Sequence, residues 1–188
     1  DDYITKPFEM KELLARIGVE DFKTLSLDID ESYPEGLSPE DTVRYIAKKK
    51  CDAAAALCAP DDLIITADTM VFLGNDRLGK PRDEEDALRM LRELAGRAHT
   101  VCTGVSVRRG AQEERFAVST RVFFRPMTDD EIRAYIKTGE PMDKAGAYGV
   151  QSRGALFVER IDGDFFNVMG LPVEQLGLVL ARFGVKLL

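Results

Sequence analysis

Leu63-Ile64-Ile65-Thr66-Ala67-Asp68-Thr69-Met70-Val71-Phe72 is the stretch on which the fold of this chain turns. It is almost continuously apolar, which predicts a central strand buried on both faces. Helical patterns lie on either side of it. Upstream, Ser38-Pro39-Glu40-Asp41 supplies a capping serine, a proline at the first helical position and acids in the first turn. Val43, Ile46, Ala47, Ala54 and Leu57 follow at helical spacing and predict one apolar stripe. Downstream, Asp83 caps a helix whose inner face is Ala87, Met90, Leu91 and Leu94, with Gly96 as its stop.

Further out the alternation continues. Residues 99–107 and 116–125 predict two strands joined by a turn at Gly110. Thr128-Asp129-Asp130-Glu131 is a capping box, opening a helix with Ile132, Tyr135 and Ile136 inward and Gly139 past its end. Toward the start, residues 3–5 predict a short strand, followed by an amphipathic helix ending near Gly18 and a strand at 22–27. Toward the end come a strand near 155–161 and a helix over 172–183. The expected class is mixed α/β, a central sheet flanked by helices, in one domain or in two lobes sharing one sheet.

The segment between Gly139 and Gly154 is different. Loops above about 12–15 residues in compact domains are usually functional or disordered. This one carries Tyr148, Val150 and Met142, which disorder does not favour, so it is expected to be an ordered binding loop.

With 188 residues, 45% hydrophobic and 31% charged, the chain has the composition of a globular protein with a sizeable core. The net charge of -7 argues against a general nucleic-acid binder. It leaves room for a phosphate ligand, since a metal and a few lysines reverse the sign locally. Cys51, Cys58 and Cys102 show neither pairing nor metal spacing, which reads as reduced thiols. No apolar run is long enough to span a bilayer and no signal peptide is apparent, so the expected location is the cytoplasm. The sequence opens Asp1-Asp2-Tyr3 without a methionine, so a processed, truncated or engineered start is expected.

Polar residues in apolar places carry the chemistry. Asp68 interrupts the central strand, and a buried carboxylate must meet a metal, a cation or several donors. The plain alternative is an aspartate tied up by backbone amides at a strand break. Lys50 falls on the stripe of Val43, Ile46, Ala47 and Ala54, where it either serves a site or snorkels from the edge. Lys48 and Lys49 face elsewhere. Lys80-Pro81 precedes the Asp83 cap. Asp28-Ile29-Asp30-Glu31-Ser32 is either a solvated turn or, beside Asp68, part of an oxygen-rich Mg²⁺ or Mn²⁺ site. His99, the only histidine, has no partner at ligand spacing and is expected to be structural.

Ile29-Asp30-Glu31-Ser32, Ala67-Asp68-Thr69, Gly79-Lys80-Pro81, Leu94-Ala95-Gly96-Arg97, the block from Asp143 to Gln151 and Asn167-Val168-Met169-Gly170-Leu171-Pro172 together resemble the Maf family in order and approximate spacing. The resemblance covers residues from about Lys11 onward. It implies a single Maf-like domain over 1–188, with two lobes of one mixed sheet around a nucleotide cleft. It implies a nucleoside triphosphate pyrophosphatase that splits the α–β linkage with a divalent metal, Mg²⁺ or Mn²⁺. Thr69 after Asp68, and Asp143-Lys144-Ala145-Gly146-Ala147-Tyr148 leading to Gln151, resemble the branch acting on dTTP and UTP. The roles implied are Asp68 as base and metal ligand, Glu31 as second metal carboxylate, Lys50 and Lys80 on phosphate oxygens, and Thr69 and Gln151 on the pyrimidine edge. A homodimer is consistent with the resemblance; nucleic acid and membrane partners are not expected.

The match fails at the start. Where the family carries a Ser-x-Ser-Pro-Arg-Arg turn, this chain reads Thr5-Lys6-Pro7-Phe8-Glu9-Met10, so both serines and both arginines are missing. Residues 1–17 resemble instead the last strand and helix of a response-regulator receiver domain, in which the lysine matching Lys6 contacts a phosphoryl group. A chimera is one account of this, divergence or a misjoined gene start the other. Lys6 is a candidate substitute for the arginines. The loss leaves open an alternative function: a catalytically impaired nucleotide-binding or septum-formation regulatory protein.

Overall fold

The computed structural model describes residues 2–4, 13–15, 17–19 and 21–188. The strands are Asp2–Ile4 (β1), Phe22–Thr24 (β2), Ile64–Leu73 (β3), Asp76–Leu78 (β4), Ala98–Arg109 (β5), Gln112–Phe124 (β6) and Val158–Asp162 (β7). The helices are Pro39–Ala55 (α1), Glu84–Leu94 (α2), Asp129–Ile136 (α3), Phe165–Met169 (α4) and Val173–Arg182 (α5). The strands form one mixed sheet in the order β2-β1-β3-β5-β6-β7, with β4 hydrogen-bonded to β3 off that path. The mixed α/β class expected from the alternation is the one observed.

The chain divides into two compact units. One holds residues 1–68, 103–118 and 170–188; the other holds residues 69–102 and 119–169. The chain therefore passes from one unit to the other between Asp68 and Thr69.

In the first unit β1 runs parallel to β2 and to β3, with Ile4 opposite Ile65. Helix α1 begins as its sequence dictates: the Ser38 side chain accepts from Asp41 N–H, and Pro39 occupies the first turn. Its buried face is Val43, Ile46, Ala47, Lys50, Cys51 and Ala54. Two contacts seat it closely. Thr66 of β3 donates its hydroxyl to the Ala47 carbonyl at 2.7 Å. On β5, a Cβ on Gly104 would lie 2.3 Å from the Val43 carbonyl carbon, so only glycine admits the helix at that distance.

In the second unit the end of β3 pairs antiparallel with β4, Val71 opposite Leu78, and β6 pairs antiparallel with β7, Val122 opposite Ile161. Helix α2 is capped by Asp83 and α3 by the reciprocal Thr128–Glu131 box. Leu91, Leu94, Val122, Phe124, Ile132 and Phe157 lie at the core of this unit. His99 is buried in it, edge-on to Phe124 and Tyr148, and its Nε2 shares a 2.8 Å hydrogen bond with the Tyr148 hydroxyl. The structural role expected of His99 is the one it has.

Three local expectations change. Leu57, expected on the apolar stripe of α1, lies past the helix end at Ala55 and is exposed. Strand β2 stops at Thr24, and residues 25–34 have no regular structure. Residues 155–157, expected to begin the last strand, belong instead to a 3-10 turn over Arg153–Phe157, because Gly154 and the polar contacts described below hold them in the preceding loop. The strand β4 and the short helix α4 lack a periodic signal long enough to predict.

Candidate functional site

Asp68 is 4% exposed, in the middle of β3. Strand alternation puts Thr66 and Asp68 on one face, and helical spacing puts Ala47 and Lys50 on one face of α1. The Thr66–Ala47 hydrogen bond thus sets the register that brings Lys50 to Asp68. The Lys50 ammonium lies 2.7 Å from Asp68 Oδ1 and 2.8 Å from Glu31 Oε1. Burial pushes the Lys50 pKa down, but the charges and hydrogen bonds of Asp68 and Glu31 outweigh it, and the net shift is upward. Of the partners open to Asp68 from its sequence, a cation meets Oδ1.

Glu31 is held beside this pair by its neighbours. Asp30 accepts from the backbone N–H and the hydroxyl of Ser32. Lys49 donates to the Ser32 carbonyl at 3.0 Å and reaches Asp30 at 3.5 Å. Lys48 forms an ion pair with Asp52. Lys49, which faces away from the stripe that carries Lys50, pins the segment from which Glu31 projects.

One oxygen remains. Asp68 Oδ2 is buried and has no hydrogen-bond partner, which is costly for a carboxylate unless something binds there. This oxygen and the half-exposed Glu31 carboxylate beside Lys50 are the groups here that could hold a divalent cation. Mg²⁺ commonly takes only one or two carboxylates from protein and fills its shell with water and substrate phosphate. Among the described residues no group of three or more His, Cys, Asp or Glu side chains is placed to hold an ion.

The other candidates lie in the second unit, or are outside the described residues. Thr69 directly follows Asp68 on β3 and is partly buried. Lys80 is exposed between β4 and α2. Gln151 is exposed at the tip of the glycine-rich loop. Lys6 and the rest of residues 5–12 fall outside the described residues.

The loop is ordered, and Glu140 is its centre. Glu140 Oε1 accepts from the Tyr135 hydroxyl at 2.7 Å, the Ser152 hydroxyl at 2.6 Å and the Gly154 N–H at 3.2 Å, while Oε2 accepts from the Arg153 N–H at 3.3 Å. Burial would raise its pKa, yet these bonds, Ser152's foremost, outweigh it and hold it below the usual glutamate value. Tyr135 Oη in turn accepts from Gly149 N–H at 3.1 Å. At the other end, Gly146 donates to the Gly79 carbonyl at 3.1 Å and rests on Val71, two residues beyond Thr69. Nothing in the sequence singles out Glu140. An acid between Gly139 and Pro141 looks like any solvated loop residue until its donors are seen around it.

A buried carboxylate with an unclaimed oxygen, a lysine against it and a second acid alongside define a class: a mixed α/β protein equipped for phosphate chemistry. Comparison narrows this. A family model described as Maf-like protein matches residues 10–183. A Bacillus velezensis protein named dTTP/UTP pyrophosphatase is 45% identical over 176 residues, covering 94% of this chain and 92% of its own. Proteins of the same name from Pelotomaculum thermopropionicum and a Geobacillus species are 43% and 47% identical, covering 95% and 87% of this chain and 93% and 87% of their own. This chain belongs to the Maf family.

Proposed function

We propose that this protein is a nucleoside triphosphate pyrophosphatase that hydrolyses dTTP and UTP to the monophosphate and pyrophosphate, with Mg²⁺ or Mn²⁺ as cofactor. The names of its relatives support the reaction and the substrate class. The observation that carries the reading is the Lys50–Asp68–Glu31 constellation with its orphaned Asp68 Oδ2.

Asp68 orients the attacking water and takes its proton. Asp68 and Glu31 hold the cation, which when bound draws charge from the phosphate oxygens. Lys50 exchanges part of its carboxylate pairing for a phosphate oxygen once substrate arrives, and Lys80 neutralises another as a point charge. Thr69 and Gln151 read the pyrimidine edge by hydrogen bonds, which discriminate better than shape alone. Lys6 supplies some of the positive charge that the missing arginines would give. The protein acts in the cytoplasm as a homodimer.

The test is pyrophosphate release from dTTP and UTP with and without Mg²⁺ or Mn²⁺. Release that needs the metal and disappears in Asp68→Ala is expected; metal-independent release, or full activity in Asp68→Ala, would overturn the reading. A second reading, a nucleotide binder without useful turnover that acts through a partner, is favoured by the absent arginines alone. It predicts tight dTTP binding with no pyrophosphate formed.

A further inference from the structure

We propose that Glu140 is a positioning residue for nucleobase selection, holding the turn that presents Gln151 through its bonds to Tyr135, Ser152, Arg153 and Gly154. The inference rests on the reading of Gln151 as a base-contacting side chain and gives that side chain its support.

Gln151 has no regular structure of its own to fix it. It stands exposed at the tip of a turn whose two ends meet at Gly149 and Gly154. Their approach is close: a Cβ on Gly154 would lie 2.5 Å from the Gly149 carbonyl oxygen and 2.9 Å from Tyr135 Oη. Such a pinch crowds backbone groups together and needs donors and acceptors to hold it. The Glu140–Tyr135 pair supplies them on both ends. Tyr135 takes the Gly149 N–H, and Glu140 takes Ser152, Arg153 and Gly154. The four residues from Ser152 back to Gly149 are thereby fastened on either side of Gln151, while its own amide is left for a ligand.

The pair is anchored in turn by rigid structure. Tyr135 lies on the buried face of α3, packed edge-on against Phe157 at 5.1 Å between ring centres. A side chain placed this way transmits the position of the core to the loop tip. An amide that must match a base edge loses its discrimination if the turn beneath it drifts by about 1 Å. An ordinary solvated glutamate would not gather four donors around its carboxylate; charge-assisted bonds of this kind are the stronger sort.

The experiment is a double-mutant cycle on pyrophosphate release, using dTTP, UTP and dGTP. Glu140→Ala is expected to raise KM for dTTP and UTP about tenfold and to narrow the preference over dGTP, with kcat changed by less than about threefold. Glu140→Gln keeps an oxygen for the three donors on Oε1 and should recover most of the preference. Combined with Gln151→Ala, Glu140→Ala should add nothing further, since both act through one contact. Trypsin cleavage after Arg153 should quicken in Glu140→Ala while the melting temperature of the whole chain moves little. If Gln151→Ala leaves KM and preference untouched, the base-reading role of Gln151 fails and the proposal falls with it. If Gln151→Ala acts but Glu140→Ala is silent or strictly additive to it, the Glu140 proposal alone is overturned.

Discussion

The Lys50 ammonium lies 2.7 Å from Asp68 Oδ1, while Oδ2 of the same carboxylate is buried without a hydrogen-bond partner. Half of the aspartate is thus neutralised by the protein and half is left for something else. Both side chains are nearly enclosed, at 9% and 6% exposure. Removing one member leaves the other charged in a poor medium, and that asymmetry makes the pair a sensitive point for both stability and chemistry.

Lys50→Met should therefore abolish nucleotide hydrolysis and also destabilise the fold, by about 3 kcal/mol at neutral pH. Asp68→Asn keeps the shape and removes the charge. It should lower pyrophosphate release by at least about 10²-fold, with a smaller loss of stability than Lys50→Met, because Lys50 keeps the Glu31 carboxylate at 2.8 Å. Denaturant titrations beside the kinetic assay separate the two effects. Equal stability loss in both variants would count against the stated division of labour.

Stability should fall on the acid side because of His99. Burial depresses its pKa to about 4 from an ordinary 6.5. The unfolded chain then takes up the proton first. The contribution is complete above pH 6.5 and is lost progressively as pH falls from there toward 4, amounting to about 3 kcal/mol at the lower end. Unfolding free energy measured across this window in the wild type and in His99→Gln should show the steeper slope in the wild type.

Gly104→Ala tests the seat of α1. The added Cβ would meet the Val43 backbone at 2.3 Å, and backbone cannot step aside as a flexible side chain can. A loss of about 3 kcal/mol is expected, together with weaker nucleotide hydrolysis, because the same helix carries Lys50. A melting temperature equal to that of the wild type would show that the helix packs farther from β5 than described.

Thr128→Ala removes the hydroxyl that caps α3 and should cost about 1 kcal/mol, without changing KM for dTTP. It is the control for Glu140 variants, since both perturb the surroundings of α3 but only one touches the loop.

The missing arginine turn can be tested by restoration. A Glu9→Arg/Met10→Arg variant should release pyrophosphate faster than the original chain, by about 10-fold or more if phosphate charge is what the altered turn lacks. Lys6→Ala should lower nucleotide affinity. No change in either variant would mean that residues 5–10 do not meet the triphosphate.

Much of the fold was legible because its signals are local. The capping serine and proline of α1, the Asp83 cap, the Thr128–Glu131 box and the apolar run of β3 each declare an element from a few neighbouring residues. Asp68 and Lys50 were legible for a related reason: each breaks the apolar pattern of an element that is otherwise easy to read. The family resemblance added the order of the site residues along the chain.

What the sequence by itself determined was therefore the mixed α/β class, the helix ends and the anomaly of a charge in the central strand. It did not determine which partner Asp68 would take. That follows from the Thr66–Ala47 and Gly104–Val43 contacts, which set the register of α1 on the sheet and join residues far apart in sequence. Nor did it determine the roles of Lys49 and Glu140, two charged residues in plain surroundings. Their importance lies in which donors and acceptors surround them, and hydrogen bonds across the fold leave no periodic trace in the chain that makes them.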